Sequence, residues 1–202
     1  MKSVRLLITI ILSVVLVGQG SVARLQTDPE AHCRYFPETG HYVCGPFLDF
    51  FETRGRLEIF GYPTTEAFVD PTHGDLRVQY FQRARMEEHP YNAPPYDVQL
   101  GLLVDELGYS FPSADPEELP SPDDPGQHYF PETEHVVSYA FLNFFRSKGG
   151  LDIFGYPRSE ILYEDGLVVQ YFQRARMERH RNRPPGQEIV LTNLGEIYIE
   201  RF

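Results

Sequence analysis

Two matching sets of side chains carry the groups from which a reactive centre is built. His41, Glu87 and His89 return as His135, Glu178 and His180. Imidazoles and carboxylates can hold zinc or move protons. Their spacing matches no ligand pattern such as two histidines one helical turn apart. Two intact copies of a catalytic set in so short a chain point to packing or binding instead. The expectation is no catalytic residue, no cofactor and no metal, these six being the residues a metal would use. Glu66 and Glu160 follow Pro-Thr-Thr and Pro-Arg-Ser, where a carboxylate serves to hold backbone donors.

Arg83, Arg85, Arg174 and Arg176 stand out in an acidic protein. Clustered guanidinium groups can grip a phosphate or carboxylate polymer bidentately. On alternate strand positions they can equally pair with nearby glutamates. Tyr35, Tyr62, Tyr129 and Tyr156 offer flat faces to sugar rings, or pack the edge of a module. These eight residues are the ligand-binding candidates. Cys33 and Cys44 are expected to join in an oxidising compartment. Gln127 and Ser138 take their places in the second copy, so the bridge reinforces one copy only.

The elements that position these groups come in duplicate. Tyr35-Phe36-Pro37-Glu38-Thr39 returns as Tyr129-Phe130-Pro131-Glu132-Thr133, and Phe60-Gly61-Tyr62-Pro63 as Phe154-Gly155-Tyr156-Pro157. Residues 78–87 return unchanged as 169–178. Repetition outranks every other signal in a sequence. In each copy a short β-prone stretch starts at His41 or His135. A helix opens at Gly45-Pro46, with Phe47, Leu48, Phe50 and Phe51 as its buried face, and stops at Gly55. A hairpin follows, over 66–69 with 76–81 and over 160–163 with 167–172. In the second copy Asp165-Gly166 supplies its turn. Further strands are expected at 85–88 and 176–179, and at 96–100 and 188–191. The class is α+β, with two tandem small modules, each a short helix plus antiparallel strands.

The chain has 202 residues, 42% of them hydrophobic and 14% aromatic, enough for a core and against wholesale disorder. Its formal charge of −11 argues against a nucleic-acid partner. Lys2, Arg5, an apolar run over 6–17 and Ser21-Val22-Ala23 read as a secretory signal cleaved after Ala23. The run is shorter than the roughly 20 residues a membrane-spanning helix needs. Residues 1–23 are thus a leader, 28–108 the first module, 109–127 a linker rich in proline and acid, and 128–202 the second module. No transmembrane segment is expected after cleavage.

The order Gly-Gly, Phe-Gly-Tyr-Pro, Ser/Thr-Glu, hairpin, then Tyr-Phe-Gln resembles the LGFP repeat of exported bacterial envelope proteins. Residues 149–160 are similar to its central motif. Phe60 and Phe154 stand where that family has leucine, Arg83-Ala84 and Arg174-Ala175 replace its Gly-Gly turn, and the chain has no tryptophan. The resemblance implies envelope association, anchoring to wall polymers and no catalysis by the repeat. The function expected is a secreted, non-enzymatic protein that binds cell-wall glycan or another extracellular polymer. The alternatives are an assembly subunit binding envelope proteins or itself, and an accessory module or metal-dependent hydrolase.

Overall fold

The computed structural model describes residues 32–202, and the leader read over 1–23 lies outside them. Among the described residues, six α-helices and twelve strands form four small antiparallel sheets, the α+β class expected. The first module opens with a hairpin of β1 (Cys33–Phe36) and β2 (His41–Cys44), then α1 (Pro46–Arg54) and α2 (Arg56–Phe60). A sheet follows, β3 (Phe68–Asp70), β4 (Leu76–Tyr80), β5 (Arg85–Glu88) and β6 (Val98–Leu100), and then α3 (Leu103–Glu106). The second module repeats this order. Its elements are β7 (Gln127–Phe130), β8 (His135–Ser138), α4 (Tyr139–Ser147), α5 (Gly150–Phe154), β9 (Leu162–Glu164), β10 (Leu167–Tyr171), β11 (Arg176–Arg179), β12 (Ile189–Leu191) and α6 (Leu194–Arg201).

Strands β5 and β11 have the bounds read from sequence, and α1 stops at Gly55 as expected. The structure adds β1 and β7, the five-residue helices α2 and α5, and the helices α3 and α6. Five residues are too few to show a helical period, so α2 and α5 leave no readable pattern. Cys33 and Cys44 are cross-strand partners and form a disulfide. Gln127 and Ser138 face each other at the same register, and Gln127 Nε2 donates to Ser138 Oγ at 3.3 Å.

Aromatic rings build each module in the same way. Phe51 stacks on Phe81 at 5.7 Å and meets the edge of Phe36 at 5.4 Å. Phe145 stacks on Phe172 at 5.4 Å and meets the edge of Phe130 at 5.6 Å. Truncating a phenylalanine buried this way costs about 3–5 kcal/mol.

The two signature motifs are one unit. Gly61 has φ +71, and a β-carbon there would lie 2.8 Å from the Gln82 side chain. Glycine alone satisfies both demands. Gln82 Oε1 then accepts from Tyr62 N at 3.0 Å, and Gln173 accepts from Tyr156 N at 3.0 Å in the second copy. The buried Gln79 donates to the Tyr42 and Thr65 carbonyls, and Gln170 to those of Val136 and Ser159, fastening each sheet to its hairpin. Glu66 Oε1 accepts from Tyr42 N at 3.1 Å, and Glu160 Oε1 from Val136 N at 3.0 Å, so both glutamates hold backbone donors.

The modules dock reciprocally. Alternate residues of a strand face opposite sides, so Val78 and Tyr80 of β4 turn away from the Phe81 core. With Val169 and Tyr171 they close a second core around Leu103 and Val104 of α3, Leu107 just after it, and Leu194 and Tyr198 of α6. Val104 N donates to the Gln173 carbonyl at 3.0 Å, and Glu196 N to the Gln82 carbonyl at 3.1 Å. Gln173 Nε2 donates to Asp105, as Gln82 Nε2 donates to Glu196. Each module thus lays its last helix on the Phe-Gln turn of the other, the pattern of a two-fold interface within one chain.

Candidate functional site

An open groove follows one edge of this module boundary. Its wider part, about 860 Å³, is lined by Pro46, Asp49, Phe50 and Arg54 of α1 and by Pro94, Pro95, Asp97 and Val98 before and on β6. A narrower part of about 260 Å³ shares Phe50, Arg54, Pro95 and Val98 with it and crosses to Leu151, Asp152, Tyr156 and Arg174 of the second module. The helix α1 presents its groove residues because Phe47, Leu48 and Phe51 turn into the core, leaving Phe50 half-buried at the rim. The loop before β6 projects Tyr96, which is 57% exposed.

The lining is amphipathic. Phe50, Tyr96, Tyr156 and the two prolines offer flat apolar faces. Asp49, Asp97 and Asp152 supply acceptors, and Arg54 supplies donors. Arg54 lies over the Phe50 ring at 5.9 Å and reaches to 3.9 Å from Asp152 across the boundary. Arg174 forms the floor, where its Nε and Nη1 donate to the carbonyls of Leu100 and Leu151 at 2.9 and 2.8 Å. Burial lowers its pKa from the ordinary arginine value.

The corresponding cleft on the opposite edge is lined by Leu57, Glu58, Arg83, Phe144, Arg183, Gly186, Gln187 and Ile189, with a volume of about 440 Å³. There Gly186 and Gln187 stand where Pro95 and Tyr96 stand in the groove. Lys148 and Glu58 bridge it at 2.7 Å. It keeps the shared arginine and, in Phe144, the counterpart of Phe50, but has Gln187 in place of the Tyr96 ring.

The residues singled out from sequence are dispersed by the fold. Tyr156 and Arg174 meet in the groove. Tyr35 is 49% exposed on the first hairpin, its ring 4.8 Å from Tyr42. Tyr62 packs against Phe36 and donates to Glu38, while Tyr129 lies on β7 opposite Val136. Arg83 Nη1 donates to the carbonyls of Leu57 and Glu58, and its Nε to Asn193 Oδ1. Arg85 donates to Glu87 and Glu106, and Arg176 to Glu178, Glu164 and Thr192. His41 and His135 contact Glu66 and Glu160, whereas His89 and His180 contact Glu87 and Glu178. Among the described residues no group of three or more His, Cys, Asp or Glu is arranged to hold a metal ion, and no helix is long and apolar enough to cross a membrane.

Sequence reasoning assigns Phe50 to a buried helix face and Tyr96 to the start of a strand, and it passes over Arg54 and Asp97. The one signal, and for Tyr96 alone, is divergence, since Pro-Pro-Tyr-Asp of the first copy faces Pro-Gly-Gln-Glu in the second. No family model and no curated protein matches the chain.

Proposed function

We propose that the chain is an exported, non-enzymatic binding protein of the cell envelope, and that the boundary groove holds wall glycan or a similar extracellular polymer. The observation that carries this reading is the lining of the groove. Flat rings from Phe50, Tyr96 and Tyr156 line the open groove together with Asp49, Asp97, Asp152 and Arg54. Sugar rings present apolar faces to aromatics and hydroxyl donors to carboxylates, so this mixture suits them. An open, elongated site suits a chain more than a small molecule. Three aspartates against Arg54, with Arg174 engaged by carbonyls, favour a neutral glycan over an anionic polymer. The leader over 1–23 and the LGFP-like order of motifs support the placement at the envelope.

Mature protein from Arg24 onward, mixed with purified cell walls and a soluble glycan panel, tests it. Binding is expected, and Tyr96→Ala should weaken it about tenfold. Full binding by Tyr96→Ala would overturn the groove as the site, and no binding together with concentration-dependent oligomers in solution would favour the assembly reading.

A further inference from the structure

The carboxylates of the groove are not in equal positions. Asp49 faces His32 at 3.1 Å, and Asp152 faces Arg54 at 3.9 Å across the module boundary. Asp97, half-buried just before β6, makes no ion pair and no side-chain hydrogen bond among the described residues.

The second copy shows what satisfies this position when the chain does so itself. Asp97 corresponds to Glu188, since His89 N donates to the Asp97 carbonyl at 2.7 Å and His180 N to the Glu188 carbonyl at 2.8 Å. Glu188 Oε2 accepts from Gly186 N at 2.6 Å. In the first copy the residue at the Gly186 position is Pro95, and proline carries no backbone N–H. Exchanging glycine for proline removes the donor that would tie the carboxylate to its own loop. The same exchange adds an apolar face, for Pro94, Pro95, Phe50 and Val98 line the part of the groove that Asp97 lines.

A half-buried carboxylate among apolar neighbours calls for a positive partner. Neither arginine of the groove serves. Arg54 lies over Phe50 and reaches toward Asp152, and Arg174 is held by the carbonyls of Leu100 and Leu151. The cation must therefore arrive with the ligand. On a sugar that cation is a primary ammonium, which brings three N–H donors to a group that only accepts. Such charge-assisted bonds are roughly twice as strong as those from a hydroxyl.

We infer that the groove selects a glycan bearing an unacetylated amino sugar, whose ammonium group donates to Asp97 while its ring lies on the faces of Pro94, Pro95 and Phe50. This rests on the glycan reading and narrows it from an uncharged chain to one with a free amine.

Two oligosaccharides of one length test it, the fully N-acetylated β-1,4-linked glucosamine tetramer and the same tetramer with a single free amine. At about pH 6 the amine is protonated and a carboxylate ionised. Calorimetric titration should show the amine-bearing tetramer binding about tenfold tighter. Asp97→Asn should bring the two tetramers level. So should Pro95→Gly combined with Asp97→Glu, which rebuilds the Gly186–Glu188 contact and keeps the charge. That double variant separates an unpaired carboxylate from the general pull of an acidic protein. Asp75→Asn, in an exposed turn of the first module, should keep the preference, with near-ultraviolet dichroism confirming the fold of every variant. Purified walls treated with acetic anhydride, which caps free amines, should sediment less protein than untreated walls. Equal affinity for both tetramers, a preference that survives Asp97→Asn, or walls that bind unchanged after acetylation would each overturn the inference and leave the glycan reading standing. Walls that lose binding on acetylation while neither tetramer binds would place the amine on a wall peptide and overturn the sugar. Failure of walls and tetramers alike would overturn both readings.

Discussion

Residues 78–87 and 169–178 are identical, yet they sit in different surroundings. The Arg85 side chain is 1% exposed and is held by Glu87 and both oxygens of Glu106, with His73 against it. The Arg176 side chain is 12% exposed and is held by Glu178, Glu164 and Thr192. The loop that brings His73 is a 3-10 turn present in the first copy, where the second has Asp165-Gly166. Tyr80 is covered by Phe68 and Tyr198, while Tyr171 is covered by Tyr109 and Phe111. Identical residues make the scaffold, and the neighbours that differ decide what each copy presents.

The largest expected break in this comparison comes from the arginines. Arg85→Ala leaves Glu87 and Glu106 without their counter-charge and should cost about 3–5 kcal/mol. Arg176→Ala should cost about 1–3 kcal/mol, because Arg176 is itself more open to water and Thr192 still donates to Glu178. Urea unfolding of the two variants decides it, and equal losses would show the surroundings to be equivalent.

Opening the Cys33–Cys44 bridge comes next. A loop closed over 11 positions stabilises by roughly 2.5–3 kcal/mol in the chain-entropy model. Hydrogen exchange should rise in β1 and β2 and stay unchanged in β7 and β8, which the Gln127–Ser138 pair already holds without a bridge.

A smaller effect sharpens the docking. A β-carbon at Gly195 would collide with the Phe81 carbonyl oxygen and lie 3.2 Å from Ala84 N. Its counterpart in the other copy is Val104, already accommodated. Gly195→Val should cost about 1–3 kcal/mol by overpacking, whereas Val104→Ile should cost less. Thermal melts of both variants test the asymmetry.

The smallest effect is on pH. Burial would raise Glu106, but the hydrogen bond and charge of Arg85 outweigh it and hold the pKa at about 2. Its contribution is present above the ordinary glutamate value and is lost as pH falls toward about 2. Burial and a glutamate acceptor push Tyr198 and Tyr171 up to about 12. Their contribution is present below the ordinary tyrosine value and is lost as pH rises through about 12. Acid titration of stability should therefore flatten in Glu106→Gln but not in Glu164→Gln, which leaves Glu106 in place.

The scaffold was legible because its determinants are local and repeated. Phe-Gly-Tyr-Pro, the Tyr-Phe-Gln run and the strand alternation placed β4, β5, β10 and β11 and the hairpin turns. The helices α3 and α6 were not legible, since α3 has four residues and both owe their place to a turn in the other module. Much of the groove escaped for a related reason. Repetition singled out Tyr156 and Arg174, but Tyr96 has Gln187 in its place in the second copy, and His73 lies in a loop that the second copy lacks. A search for what recurs finds the frame and passes over what hangs on it.

The crossed resting of α3 and α6 has a consequence for what half of this molecule is. A single copy made alone would expose its Phe-Gln turn and its own final helix, each shaped for the other. Two such halves would supply one another with what each lacks and pair as equals. The stretch joining them then sets local concentration and leaves partner choice to the surfaces, so a backbone cut near residue 120 would leave the two pieces together.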